Sequence, residues 1–140
     1  GSGSIPIEAG LLGCKVLGSD IQPLMVRGSR VNLLHYGVRD FHLLLADARK
    51  LPFAEVDAIA TDPPYGRSAT TMGVPTKNLL EDFLHSAAEV LERGGYLCTA
   101  SPADLDLADL GRGAGLKVVE SHIIPVHGSL TRELIIFRRG

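Results

Sequence analysis

Val56-Asp57-Ala58-Ile59-Ala60-Thr61-Asp62-Pro63-Pro64-Tyr65-Gly66 passes from an apolar segment straight into a proline pair. The first six residues read as a buried strand and the last five as a stiff loop at its carboxyl end. Each proline fixes φ near −65° and pushes the residue before it out of the helical region, so Asp62 and Pro63 stay extended. Neither proline carries an N–H. The loop therefore offers carbonyl oxygens and the Asp62 carboxylate with few competing donors, and Tyr65 adds a flat face for stacking a planar ring.

A loop of that kind suits an amine on an aromatic base. The lone pair of a base amino group is delocalised into its ring, so acceptors must hold the hydrogens and turn the nitrogen towards tetrahedral geometry before it can attack an electrophile. Asp62 and the Pro63 carbonyl supply acceptors, Pro64 stiffens them, and Tyr65 replaces stacking lost when a base is flipped out, worth about 1–3 kcal/mol per base. The competing reading is a plain strand-ending turn, since Asp and Pro are both favoured there.

Outward from this loop, short apolar runs alternate with helical patterns. Ile5 to Leu12 reads as a helix opened by Ser4, Lys15 to Ser19 as a strand delivering Asp20, and Pro23 to Tyr36 as a helix with Leu24, Gly28, Val31 and Leu34 on one face, stopped by Gly37. Phe41 to Ala46 is a strand ending at Asp47. Thr76 to Arg93 is a helix with Leu79, Leu80, Phe83, Ala87, Val90 and Leu91 on one side, ended by Gly94-Gly95. Tyr96 to Ala100 is a strand, and Ala103 to Leu110 a short helix dissolving into glycines. Leu116 to Val126 and Glu133 to Arg138 form a terminal antiparallel hairpin around His127 to Thr131. Alternation of strand and helix predicts an α/β, mostly parallel sheet. Arg67 to Pro75 is a long polar loop, suited to act as a lid.

The 140 residues, 45% hydrophobic, fit one domain able to bury a core without metal or disulfide staples. A formal charge of −2 supplies no positive field for nucleic acid. Cys14 and Cys98 sit in apolar runs without metal-ligand spacing and read as buried free thiols of a cytoplasmic protein. The scattered His35, His42, His85, His122 and His127 suggest no metal centre. No apolar stretch reaches the length that spans a bilayer, so no membrane partner is expected.

In an open parallel sheet, ligands bind beyond the carboxyl ends of the strands, where Asp20, Asp47 and Asp62 all fall. Gly1-Ser2-Gly3 before a helix, Asp20-Ile21 after one strand and Asp47-Ala48 after the next match a nucleoside-bearing cofactor, with a glycine turn for close approach, a carboxylate for ribose hydroxyls and a polar group for adenine. Gly1 to Ser4 also has the composition of an expression linker, but it continues into Ile5-Pro6-Ile7-Glu8-Ala9-Gly10 without a seam. A nicotinamide oxidoreductase shares this weak glycine-and-acid signal, yet has no need of Asp-Pro-Pro-Tyr and would add a Tyr-x-x-x-Lys pair, which is missing.

Together, Gly1 to Ala9, Asp20, Asp47-Ala48 and Asp62-Pro63-Pro64-Tyr65-Gly66 resemble class I S-adenosylmethionine-dependent RNA methyltransferases over nearly the whole chain. Val126-His127-Gly128-Ser129-Leu130-Thr131-Arg132 is similar to a hairpin segment of the THUMP-containing tRNA guanine-10 N2-methyltransferases. The resemblance implies a Rossmann-like sheet and methyl transfer to a guanine N2 amine in tRNA by direct in-line displacement. It places Gly1, Gly3, Asp20, Ile21, Asp47, Ala48 and Asp62 at S-adenosylmethionine, Asp62 to Tyr65 at the guanine, and Ser129 and Arg132 in substrate contact or hairpin support. Related loops act on ribosomal guanine, DNA adenine or a protein glutamine, and a non-catalytic Rossmann-like module is the further alternative. The family's central first strand and upstream RNA-binding domain have no counterpart here, so the chain reads as a catalytic domain truncated at its start, whose tRNA is held by that upstream domain. Unpaired strand edges would then be met by neighbouring strands closing up or by self-association.

Overall fold

The computed structural model describes residues 1–64 and 75–140 and divides into two compact units, Gly1–Lys50 and Leu51–Gly140. Tyr65 and most of the predicted lid lie outside the described residues. Among the described residues no helix is long and apolar enough to cross a membrane.

The first unit is a helix followed by a β-α-β crossover: α1 (Ser4–Leu11), β1 (Val16–Asp20), α2 (Pro23–His35) and β2 (Phe41–Leu45). Strands β1 and β2 pair in parallel from Val16↔Phe41 to Asp20↔Leu45. Pro23 opens α2, where its missing N–H costs nothing. Gly37 closes it at φ 78°, with Gly37 N–H donating to Leu34 O and Val38 N–H to Leu33 O, so the expected glycine stop is present. Helix α1 lies over β1: a Cβ at Gly18 would meet Leu43 at 2.7 Å and Pro6 at 3.8 Å.

The inward face of α2 is not the one its leucines suggest. Leu24 and Val31 are each 66% exposed, whereas Ser29 and Leu33 are buried. The helix is turned so that Ser29 can meet the Gly1–Gly3 turn, where a bulkier side chain would not fit. Cys14 is also exposed, because it sits in the turn between α1 and β1 rather than in the core. Cys98 is half-buried, and burial pushes its thiol up from the ordinary value.

The second unit holds β3 (Val56–Thr61), α3 (Thr76–Val90), β4 (Leu91–Pro102), a 3-10 turn (Ala103–Leu105), α4 (Leu107–Gly113), β5 (Leu116–His127) and β6 (Leu130–Arg139). Its sheet runs β3-β4-β6-β5, with β3 and β4 parallel and β6 antiparallel to both neighbours. The core joins Leu80, Phe83, Leu84 and Ala87 of α3 to Leu91, Leu97, Leu107, Leu116, Ile135 and Phe137. Each such Leu or Phe, fully buried, contributes about 1.5–3 kcal/mol. Of the predicted α3 stripe, Leu80, Phe83, Ala87 and Val90 are buried as expected, Leu79 is half-buried, and Leu91 is buried but lies beyond the helix.

Three boundaries differ from expectation. Helix α3 ends at Val90, and Leu91 is already extended and paired with Val56. Gly94-Gly95 instead accommodates a bulge between the Leu91 and Tyr96 pairings: a Cβ at Gly95 would lie 2.7 Å from the Asp57 carbonyl oxygen, so only glycine lets β3 approach. The helix expected at Ala103 to Leu110 is split by Asp106 at φ 47°, which caps α4 by accepting from Asp109 N–H at 3.2 Å, and α4 continues through Gly111. The terminal hairpin is present but longer than read, closing at Gly128-Ser129 between the paired His127 and Leu130. Among the described residues the strands form a two-stranded sheet, β1-β2, and a four-stranded sheet, β3-β4-β6-β5.

Candidate functional site

In the first unit, the predicted cofactor residues gather at the carboxyl edge of β1-β2. Gly3, buried at φ 94°, caps α1, and a Cβ there would press on Ser29 Cα, Cβ and Oγ at 3.1 Å. The turn is held by α2: Ser29 Oγ donates to the Gly1 carbonyl and Asn32 Nδ2 to the Ser2 carbonyl, each at 2.9 Å. These two bonds build the turn into α2. Asp20 ends β1, with Gln22 N–H donating to its Oδ1 at 2.9 Å and the Gly1 amine contacting its Oδ2. Ile21 follows, 40% exposed.

Asp47 follows β2 at the same edge, since Ala46 N–H bonds the Asp20 carbonyl at 3.0 Å. Arg49 engages both its oxygens: its N–H donates to Oδ1 at 2.9 Å and its guanidinium spans Oδ1 and Oδ2 at 2.7–3.1 Å. The Arg49 guanidinium, and after it the Arg49 N–H, hold the Asp47 carboxyl below its ordinary value against slight burial. An adenine amine arriving at Asp47 would compete with Arg49. Ala48 is exposed and small beside it.

The second unit carries Asp62 directly after β3, with Pro63 and Pro64 half-buried behind it. The Asp62 carboxylate is 51% exposed and its Oδ1 accepts from Arg132 Nη2 at 2.5 Å. Arg132 lies on β6 opposite Pro102 and reaches Asp62 past the end of β4. Ser129, expected in substrate contact or hairpin support, lies in the hairpin turn, its N–H donating to His127 Nδ1 at 3.3 Å and its hydroxyl 3.1 Å from the same nitrogen. The hairpin thus brings Arg132 to Asp62, while Ser129 serves the turn.

Sequence reading missed Ser29, Asn32 and Arg49. The first two carried a faint signal, being polar residues three apart on a helix and hence neighbours on its surface. Arg49 had none beyond its closeness to Asp47.

The model of the RMKL-like methyltransferase domain matches residues 1–133. The chain belongs to that family. Two curated relatives are tRNA (guanine(10)-N2)-dimethyltransferases: that of Methanothermobacter thermautotrophicus is 46% identical over 140 residues, covering 99% of this chain and 41% of that protein. That of Pyrococcus abyssi is 43% identical, covering 97% and 42%. The chain thus spans about two fifths of the length of these relatives. Among solved structures, TrmN from Thermus thermophilus superposes with a TM-score of 0.80 at 26% identity, over all of this chain and 42% of that one. The methyltransferase domain has the Rossmann-like class I fold, and the nicotinamide reading is set aside.

Proposed function

We propose that this methyltransferase domain is the catalytic part of an S-adenosylmethionine-dependent enzyme that methylates the N2 amine of a guanine in tRNA. The observation that carries the reading is the Asp62-Pro63-Pro64 end of β3, a carboxylate followed by two residues without N–H, in a chain 46% identical to a tRNA guanine N2-dimethyltransferase. The donor set suits the cofactor: a glycine turn closed by Gly3 at φ 94°, and two ionisable acids, Asp20 and Asp47, at one sheet edge for hydroxyl and amine hydrogens.

When bound, S-adenosylmethionine supplies an electrophilic methyl group on a sulfonium. The protein's own part is to bind, orient and accept. Gly1 to Gly3 lie against the methionine portion, Asp20 and Ile21 at the ribose, and Asp47 and Ala48 at the adenine. Asp62 and the Pro63 carbonyl accept the two hydrogens of the guanine amine, which frees its lone pair from the ring. The nitrogen would gain the methyl carbon as that carbon's bond to sulfur breaks and S-adenosylhomocysteine leaves, and its proton would pass to the Asp62 carboxylate. Pro64 holds the acceptors in place, and Tyr65 stacks on the base.

The tRNA is gripped by an RNA-binding region outside these residues, because a net charge of −2 gives these residues no overall positive field. Such an enzyme works in the cytoplasm, where tRNA is processed. The test is transfer of labelled methyl from S-adenosylmethionine by the full-length protein to a tRNA transcript and to one with inosine in place of guanine. Label in the first and none in the second is expected, since inosine lacks the N2 amine. Equal labelling of both would move the target to another amine. No labelling and no thermal shift with S-adenosylhomocysteine, expected at about 2.7 kcal/mol for a hundredfold excess over Kd, would favour a non-catalytic module.

A further inference from the structure

The three strand-end acids are held in two different ways, and the difference follows from sequence. Asp20 accepts from the N–H of Gln22 and Asp47 from the N–H of Arg49, each two residues on and each at 2.9 Å. This local turn locks a carboxylate with the chain's own backbone. At Asp62 the residue two positions on is Pro64, which has no N–H, and Pro63 has none either. The same two prolines that clear donors from the acceptor loop therefore deprive its carboxylate of the anchor that the other two acids use. A half-exposed aspartate without one samples several rotamers. The donor comes from seventy positions away: Arg132 Nη2 on β6, at 2.5 Å from Oδ1.

We infer that Arg132 is a positioning residue for the proposed methyl transfer, taking Oδ1 of Asp62 and leaving Oδ2 turned out for the guanine amine. It replaces the backbone donor that the proline pair removes. Its place on the hairpin suits that role, because β6 is paired on both sides, with Pro102 of β4 and Ile124 of β5 opposite Arg132. The guanidinium is thus delivered from a fixed strand rather than a loop. The inference rests on the guanine reading only for what Oδ2 holds. The hold on Asp62 is independent of substrate.

Two measurements test it on the full-length protein. With tRNA and S-adenosylmethionine saturating, Arg132→Ala is expected to lower kcat roughly tenfold to a hundredfold, as for a misplaced reacting group. KM for tRNA and the affinity for S-adenosylhomocysteine should stay within about twofold, and Arg132→Lys should recover part of the loss. A raised KM with kcat unchanged would make Arg132 an RNA contact and overturn the inference. The second measurement needs no substrate and compares melting temperatures of wild type, Asp62→Ala, Arg132→Ala and the double variant. The single shifts should exceed the double shift by about 1–3 °C in sum, the size expected of a partly exposed pair. Additive shifts would overturn the pair itself. If wild type methylates nothing while this coupling is found, the substrate reading has failed and the positioning has not. Should the alanine variant not fold, the lysine variant carries both measurements.

Discussion

Replacing Gly3 by alanine attacks the proposed cofactor turn through geometry alone. An L-residue at φ 94° costs about 1–2 kcal/mol. The added carbon would sit 3.1 Å from Cα, Cβ and Oγ of Ser29, and because one of these is backbone, no rotamer change of Ser29 relieves the squeeze. Overpacking of this kind costs about 1–3 kcal/mol. The stiffer unfolded chain returns about 0.4–1 kcal/mol. A net loss of about 1–5 kcal/mol follows. Gly28→Ala is the control, for it lies mid-helix with nothing within 4 Å of a Cβ and should gain about 0.5–1 kcal/mol. Urea unfolding of the three proteins reads both signs. Calorimetric titration with S-adenosylhomocysteine should show at least tenfold weaker binding by Gly3→Ala and wild-type binding by Gly28→Ala. A Gly3→Ala protein with wild-type midpoint and affinity would refute the placing of this turn at the cofactor.

Gly111→Ala puts a methyl group into the ring of Phe137, which is fully buried, and should cost about 1–3 kcal/mol in the same unfolding assay. Arg49→Ala tests the hold on Asp47. Because the folded carboxyl is pulled below its ordinary value of 3.8, the pair stabilises the fold above that pH and is lost as pH falls through the folded value. Both side chains are about one third exposed, so the variant should lose about 0.2–1 kcal/mol at pH 7 and almost nothing at pH 2, read from melting temperatures across that range. Iodoacetamide labelling followed by mass spectrometry should modify exposed Cys14 well before half-buried Cys98, whose thiol is pushed up.

Much of this arrangement was legible in the chain because its strongest signals are local. Prolines fix φ wherever they stand, so the extended run at Asp62-Pro63 could be read without knowing its neighbours. Gly37 stops α2 through a bonding pattern that needs only the residues just before it. The misreadings share a different cause. Leu24, Val31 and Leu34 make a plausible apolar stripe, but the face of α2 is chosen by Ser29 and the glycine turn it must touch, a contact between residues far apart in sequence. Gly94-Gly95 reads as a helix stop because its other use, admitting the Asp57 carbonyl of a neighbouring strand, is visible only once β3 and β4 are paired.

The candidate site divides along the same line. At Asp20 and Asp47 the anchoring donor lies two residues on, so both the acid and its support belong to one short stretch of chain. At Asp62 the proposed chemistry demands a loop poor in donors, and the proline pair that meets this demand removes the N–H two positions on that steadies the other two acids. The support must then come from elsewhere in the fold. A hairpin strand paired on both sides is well suited to carry it, because its register fixes where the guanidinium stands. That is why Arg132 could be suspected from the sequence without its partner being named: the sequence shows that the two positions after Asp62 carry no N–H, and only the register of β6 against β4 shows which side chain answers.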